Sequence, residues 1–345
     1  MGWIEKSDFE VKIVIAGLHN HITMPLQGNH DITLDREFYA QHGHSFHNQC
    51  PEDPEECISL LSNSSSSSSV IYLNHQSATV SLTRPDGPRA RLKVFGSPYS
   101  PETPGRWAFT YSRDGNIARD LWDAVPLDTD IVVTHTPPFR HCDEVPSGDV
   151  LGCEALRRTL WRVRPRLAVC GHVHQSRGCE RIRWNLSCAD ATYGESGNIH
   201  KAPPPPPSGS KKQYLVDLSG RKGPKLDNDG SITAAHPQPD NRSERPLEGE
   251  TRGEVTRPGT FLDPSIPAQL YDQAETTIDA PVTQTQGRDS RERGGQGDTE
   301  ALLGRLGRKE TCVVNASIMA NSWPHKGGKR FNAPIVVDLD LPVWE

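Results

Sequence analysis

The sequence predicts a mixed α/β fold. Three observations carry this. Short β-branched runs recur over the first 190 or so residues, several ending on glycine or histidine. Segments with helical periodicity lie between them, the alternation that builds strands and helices into one layered core. Beyond about residue 200 the composition changes, and apolar runs return only near the C-terminal end.

Taken in order, residues 11–16 (VKIVIA) read as a buried strand followed by Gly17, and a helix is expected to start over residues 35–42. Residues 51–69, acidic and then a serine run, are expected to be a loop. Residues 78–83 alternate as a half-buried strand, Pro85-Asp86-Gly87-Pro88 is a turn, and residues 91–95 form the next strand, leading into Gly96-Ser97-Pro98. Residues 116–124 have helical periodicity, and residues 130–133 form a strand that delivers His135. Residues 153–163 are an amphipathic helix ended by Pro165. Strands follow at 166–170, which delivers Gly171-His172-Val173-His174, and at 181–188. Residues 311–319 and 334–341 read as two further strands, expected to return to the same sheet system because alone they would bury too little apolar surface. The expected organisation is one domain over residues 1–199, a disordered Pro/Gly/charged insert over 200–309, and C-terminal strands of the same domain over 310–345.

Composition supports the insert. Only 34% of the 345 residues are hydrophobic, with 29 glycines and 29 prolines, below the usual apolar share of about 45–50%. The net charge of −6 gives no reason to expect nucleic acid or an anionic membrane as partner. The eight cysteines form no Cys-x-x-Cys pair, which argues against a zinc ribbon or a redox motif. With neither a secretory leader nor a membrane-spanning run in the sequence, the default expectation is a cytoplasmic protein with reduced thiols. The Pro203–Pro207 run reads either as a stiff linker or as a polyproline segment for a proline-motif partner.

The chemistry lies in histidine-bearing strand exits. Gly28-Asn29-His30-Asp31, Thr134-His135-Thr136-Pro137-Pro138 and Gly171-His172-Val173-His174 offer one amide oxygen, from Asn29, and ring nitrogens from His135, His172 and His174. Such donors suit Mn, Fe, Zn or Mg rather than softer metals. A two-metal hydrolase holds its ions about 3.5–4 Å apart and activates a water between them. His30, following a candidate ligand and beside the Asp31 carboxylate, is placed to act as proton donor. Each motif alone has a plainer explanation: a lone histidine packs in a core, and Gly-Asn-His-Asp makes a turn. Packing does not explain three histidine exits in order. Ser97 lacks an evident base, and its surroundings are not those of a serine hydrolase.

These three blocks resemble the later signature blocks of the calcineurin-like metallophosphoesterases. Gly96-Ser97-Pro98 after a strand, and His135 followed by Pro-Pro, resemble the metallophosphoesterase-domain-containing subgroup, which is similar to class III cyclic nucleotide phosphodiesterases. The resemblance spans residues 11–188 and the C-terminal strands. It implies a four-layer α/β/β/α sandwich. It further implies that Asn29, His135 and His172 bind one divalent metal and His174 a second, with His30 catalytic and assisted by Asp31. The substrate would be a small phosphomonoester or phosphodiester, with cyclic nucleotides suggested by the subgroup. Two departures qualify it. The family's first Asp-x-His and Gly-Asp blocks have no counterpart before Asn29, so a truncated domain with impaired activity is expected, or a non-catalytic remnant that binds nucleotide or protein. Residues 18–27 read as an insertion, and its His19 and His21 are not assigned as ligands.

Overall fold

The structure, a computed structural model, describes residues 6–17, 31–62, 70–103, 105, 107–187, 194–197, 200–207, 210, 212–231, 301–320, 328, 330–341 and 343. In chain order it contains β1 (Lys12–Val14), α1 (Arg36–Phe46), α2 (Pro54–Ser62), β2 (Val70–Tyr72), β3 (Gln76–Leu82), β4 (Ala90–Ser97), β5 (Ser100–Pro101), β6 (Thr110–Tyr111), α3 (Gly115–Asp123), β7 (Ile131–Thr134), α4 (Glu154–Val163), β8 (Leu167–Cys170), β9 (Gly178–Arg183), β10 (His200–Lys201), β11 (Tyr214–Asp217), β12 (Glu310–Asn315) and β13 (Ile335–Asp338).

The central sheet has seven strands in the order β10-β9-β12-β8-β7-β4-β3. Its middle, β4-β7-β8-β12, is parallel, and β3, β9 and β10 add antiparallel edges. The period-2 alternation of each strand divides the core between two faces. Phe95, Val132, Ala168, Ile182 and Val313 point to one face, where they pack with Trp122 of α3 and Leu156, Leu160 and Trp161 of α4. Their neighbours point the other way. Leu92 and Val94 meet Ile13 and Ile71 of the parallel β1–β2 pair, while Cys312 and Val314 meet Tyr214 and Val216 of β11, which pairs with β13. Phe38 and Tyr39 of α1 pack with Ala16, Ile32 and Phe109 outside β1–β2, and α2 contacts β2. The layers are therefore α/β/β/α, and β12, buried along its whole length, is covered on both faces as a central parallel strand must be.

Several expectations change. The segment read as a loop over 51–69 contains α2. Asp53 accepts the Glu55 N–H at 2.8 Å, and Glu55 and Glu56 sit in the first turn, so the acidic run caps a helix rather than opening a loop; the serine run from 64 to 69 lies outside the described residues. Residues 212–231 and 301–309, expected to lie in the insert, belong to the fold, and residues 232–300 lie outside the described ones. Buried arginines tie these flanks in place. Arg164 donates to the Ala301 and Arg305 carbonyls at 2.6 and 3.1 Å, Arg166 to the Asp229 carbonyl at 2.6 Å, and Arg308 to the Thr129 carbonyl at 2.7 Å. Of the two C-terminal strands, β12 enters the centre of the large sheet, whereas β13 pairs with β11 in the second layer. No helix among the described residues is long and apolar enough to cross a membrane.

Candidate metal centre

The site forms where β7 and β8 end side by side. Parallel neighbours release their C-terminal ends at the same edge, so their exit loops meet. After Thr134, the His135 N–H still donates to Ser97 of β4 at 3.0 Å, and the His135 carbonyl accepts from Gly171 at 3.1 Å, so both exits remain in register. His172 adopts a left-handed backbone, φ +64, and the Val173 N–H turns back to the Gly171 carbonyl at 2.7 Å. This tight reversal aims the His172 ring at the neighbouring exit. His172 Nδ1 lies 3.0 Å from His135 Nε2, with the ring centroids 4.8 Å apart and edge-to-face.

Second contacts hold this pair. Asn315, fully buried at the end of β12, donates to the Cys142 carbonyl at 3.0 Å and to the Val173 carbonyl at 2.8 Å, and its oxygen accepts from Ser317. The segment after His135 is clamped by the Cys153 N–H to Pro137 at 3.0 Å and the Phe139 N–H to Cys153 at 3.1 Å. Farther along, buried His141 lies between Glu180 at 3.3 Å and Glu195 at 3.0 Å. Burial acts to lower its pKa, but the two carboxylates outweigh burial and raise it. Gly17 passes over the back of His135 with φ +114, where an added Cβ would overlap His135 Nδ1. The Gly17 N–H donates to Asp31 Oδ2 at 2.7 Å.

Electrostatics keep the His172 ring neutral. Burial, then the charges of His174 and Arg113, press the His172 pKa down to about 4, so at pH 7 its ring carries a lone pair rather than a second proton. Two imidazoles with converging nitrogens fit two positions around one divalent ion. Among the described residues no group of three or more His, Cys, Asp or Glu side chains is arranged to hold a metal. Of the residues proposed from sequence, the structure brings His135 and His172 together. His174 starts the short turn beyond them, Asp31 is held against Gly17, and Asn29 and His30 lie outside the described residues.

Sequence reasoning missed Gly17 and Asn315 as supports, and it missed His75. Ser97 was expected to lack a base, yet His75 Nδ1 lies 3.0 Å from its hydroxyl, with His75 Nε2 3.2 Å from the Leu121 carbonyl. Ser97 is fully buried, and His75 packs edge-on against Phe95, Tyr99 and Trp122. The pair is structural. A signal for Gly17 was present, since it ends the first strand run; Asn315 had none, because its partners lie far away in sequence.

Residues 4–176, with this pair near their end, match the family model for calcineurin-like phosphoesterases. The chain belongs to that family. It is 34% identical over 185 residues to metallophosphoesterase domain-containing protein 1 of Homo sapiens, a match covering 51% of this chain and 48% of the relative. It is 39% identical over 89 residues to a UPF0046 protein of Caenorhabditis elegans, covering 26% of this chain and 22% of the relative. It is 36% identical over 186 residues, or 53% of its length, to a protein of Emericella nidulans named probable rhamnogalacturonate lyase C, of which the match covers 14%. The chain thus spans about half or less of the length of the curated relatives it matches. Family membership points to metal-dependent phosphoester chemistry and to divalent metal ions in general.

Proposed function

We propose that the chain hydrolyses phosphoesters at the mouth of β7 and β8. The observation that carries this is the convergence of His135 Nε2 and His172 Nδ1 at 3.0 Å on strand exits whose backbone bonds hold them in register. His135 and His172, with Asn29, would hold one divalent ion, and His174 would serve a second. Bound there, a divalent ion screens the phosphate charge and lowers the pKa of water. The remaining work falls to the chain. His30 donates a proton to the leaving oxygen, Asp31 orients it, and the neutral His172 ring stays available because burial disfavours its protonation. The substrates are small phosphomonoesters or phosphodiesters, cyclic nucleotides among them.

The test is hydrolysis of bis(p-nitrophenyl) phosphate and p-nitrophenyl phosphate by the purified chain with Mn, Fe, Zn or Mg, alongside manganese binding by calorimetry. His172→Ala is expected to weaken the ion by at least about tenfold and to abolish turnover. Unchanged manganese affinity in that variant would remove the assignment. A second reading is favoured by one observation: among the described residues only two metal-binding rings converge, and the Asp31 carboxylate is occupied by the Gly17 N–H. On that reading the cleft binds nucleotide without turning it over. Nucleotide binding with no hydrolysis under any of the four metals would select it.

A further inference from the structure

The ring of His141 is fully buried, and both of its nitrogens meet carboxylates. Nδ1 lies 3.3 Å from Glu180 of β9, and Nε2 lies 3.0 Å from Glu195. Glu195 belongs to the segment 194–197, which runs antiparallel to the end of β9 and the residues that follow it. Glu195 bridges Trp184, and the Ser196 N–H donates to the Arg183 carbonyl at 2.9 Å. A neutral imidazole has one N–H and one lone pair, so it would donate to one carboxylate and turn its lone pair toward the other. Only the imidazolium donates to both.

The surrounding charges favour that cation. Arg157 of α4 donates to the same Glu195 oxygen at 2.8 Å. Burial pushes the Glu195 pKa up, but His141 and Arg157 hold it down to about 2, so it is ionised at neutral pH. Lys201 of β10 lies 3.5 Å from Glu180, with its side chain 73% exposed, and Glu154 lies 3.6 Å from Arg157. Asp143 accepts the Arg140 and Gly152 N–H groups, both at 2.9 Å. Burial pushes the Cys142 and Cys170 thiols up, so they carry no charge. With the ring charged, Glu180 and Glu195 face two inward cations, His141 and Arg157. Without it, Glu180 would keep only Lys201 among the described residues, a contact that water and salt screen.

The position of the ring gives its charge a reach. The His141 N–H donates to the Pro138 carbonyl at 3.2 Å, on the exit that begins at His135. The Cys142 carbonyl accepts from Asn315, whose amide also holds Val173 between His172 and His174.

We propose that His141 is a positioning residue that acts as an imidazolium latch. Charged, it ties the exit bearing His135 to β9 and to residues 194–197; on losing its proton it releases them. The inference rests on the hydrolase reading only for the ion at the histidine pair, since the latch itself needs no metal. Burial acts to lower the ring's pKa, but the two carboxylates carry it above the ordinary 6.5. The latch is therefore whole below pH 6.5 and is lost as pH rises through that raised value.

The test is amide hydrogen exchange of the full chain in EDTA, from about pH 6 to 9, read as protection factors at His141 and Ser196. In the wild type both are expected to fall together by at least about threefold across that range. His141→Gln, which has no titrating ring, is expected to give a flat profile. Glu180→Gln removes one of the carboxylates that hold the proton, and is expected to shrink the fall and end it at lower pH. That variant decides the matter if His141→Gln does not fold. A flat wild-type profile, or the wild-type fall in either variant, overturns the latch. So does protection lowered equally at every pH in Glu180→Gln, which packing alone would give. Manganese calorimetry on the same proteins separates the two readings. The expected profiles with no manganese bound keep the latch and remove the hydrolase reading; manganese binding with a flat profile does the reverse.

Discussion

Replacing Asn315 is the sharpest probe of how the centre is held. Its amide makes four hydrogen bonds, two donated to the Cys142 and Val173 carbonyls and two accepted from Ser317, and the residue is fully buried. Asn315→Ala removes all four. The Val173 carbonyl keeps the Ser176 N–H at 3.1 Å, so the groups left bare are the Cys142 carbonyl and the Ser317 N–H and hydroxyl. At about 1–3 kcal/mol for each buried group without a partner, the variant should lose at least about 3 kcal/mol, a large part of the ~5–15 kcal/mol of a typical domain. Asn315→Asp has almost the same shape but turns an acceptor toward two carbonyls, and is expected to cost at least as much at neutral pH. Urea unfolding gives the stabilities, and manganese calorimetry at low denaturant reads whether the exit bearing His172 has loosened. An exposed control, Leu303→Ala, should stay within about 0.5 kcal/mol. If Asn315→Asp matched the wild type in both stability and metal affinity, the clamp would not exist as described.

Two further outcomes follow from the geometry. Gly17→Ala should destabilise the protein by about 1–3 kcal/mol from the left-handed backbone alone, and should weaken manganese further by displacing His135; a variant with wild-type metal affinity would show that Gly17 does not abut the ring. Burial presses the His75 pKa from 6.5 to about 4, so the unfolded chain takes up a proton between those values that the folded chain refuses. Stability contributed by neutral His75 is whole above pH 6.5 and is lost as pH falls toward 4, by at most about 3 kcal/mol at 1.36 kcal/mol per pKa unit. His75 has a left-handed backbone, φ +54, which Asn tolerates, so His75→Asn should flatten the fall in stability between pH 6.5 and 4.5 relative to wild type; parallel profiles for the two proteins would contradict this origin.

Much of the fold could be read from the chain because it rests on local rules. The runs at 91–95, 130–133 and 166–170 carry β-branched residues at strand length, and they became β4, β7 and β8. The helices at 116–124 and 153–163 show their periodicity openly, and Cys153 turned out to be the cap of α4, its thiol accepting the Leu156 N–H at 3.4 Å. The site was half legible. His135 and His172 stood out because histidine-bearing strand exits recurring in order are rare as packing.

What the sequence determined by itself is the set of elements and the chemical types at their ends, since hydrophobic period and turn residues act over a few positions. Which ends meet was decided only by tertiary structure. His135 and His172 come within 3.0 Å because β7 and β8 pair in parallel with Ile131 opposite Leu167; a slip of one strand by one residue would turn its exit to the opposite face. The same holds for β11 and for Asn315. Each is placed by partners more than a hundred residues away, through burial and hydrogen bonds that exist only once the sheet has closed over them.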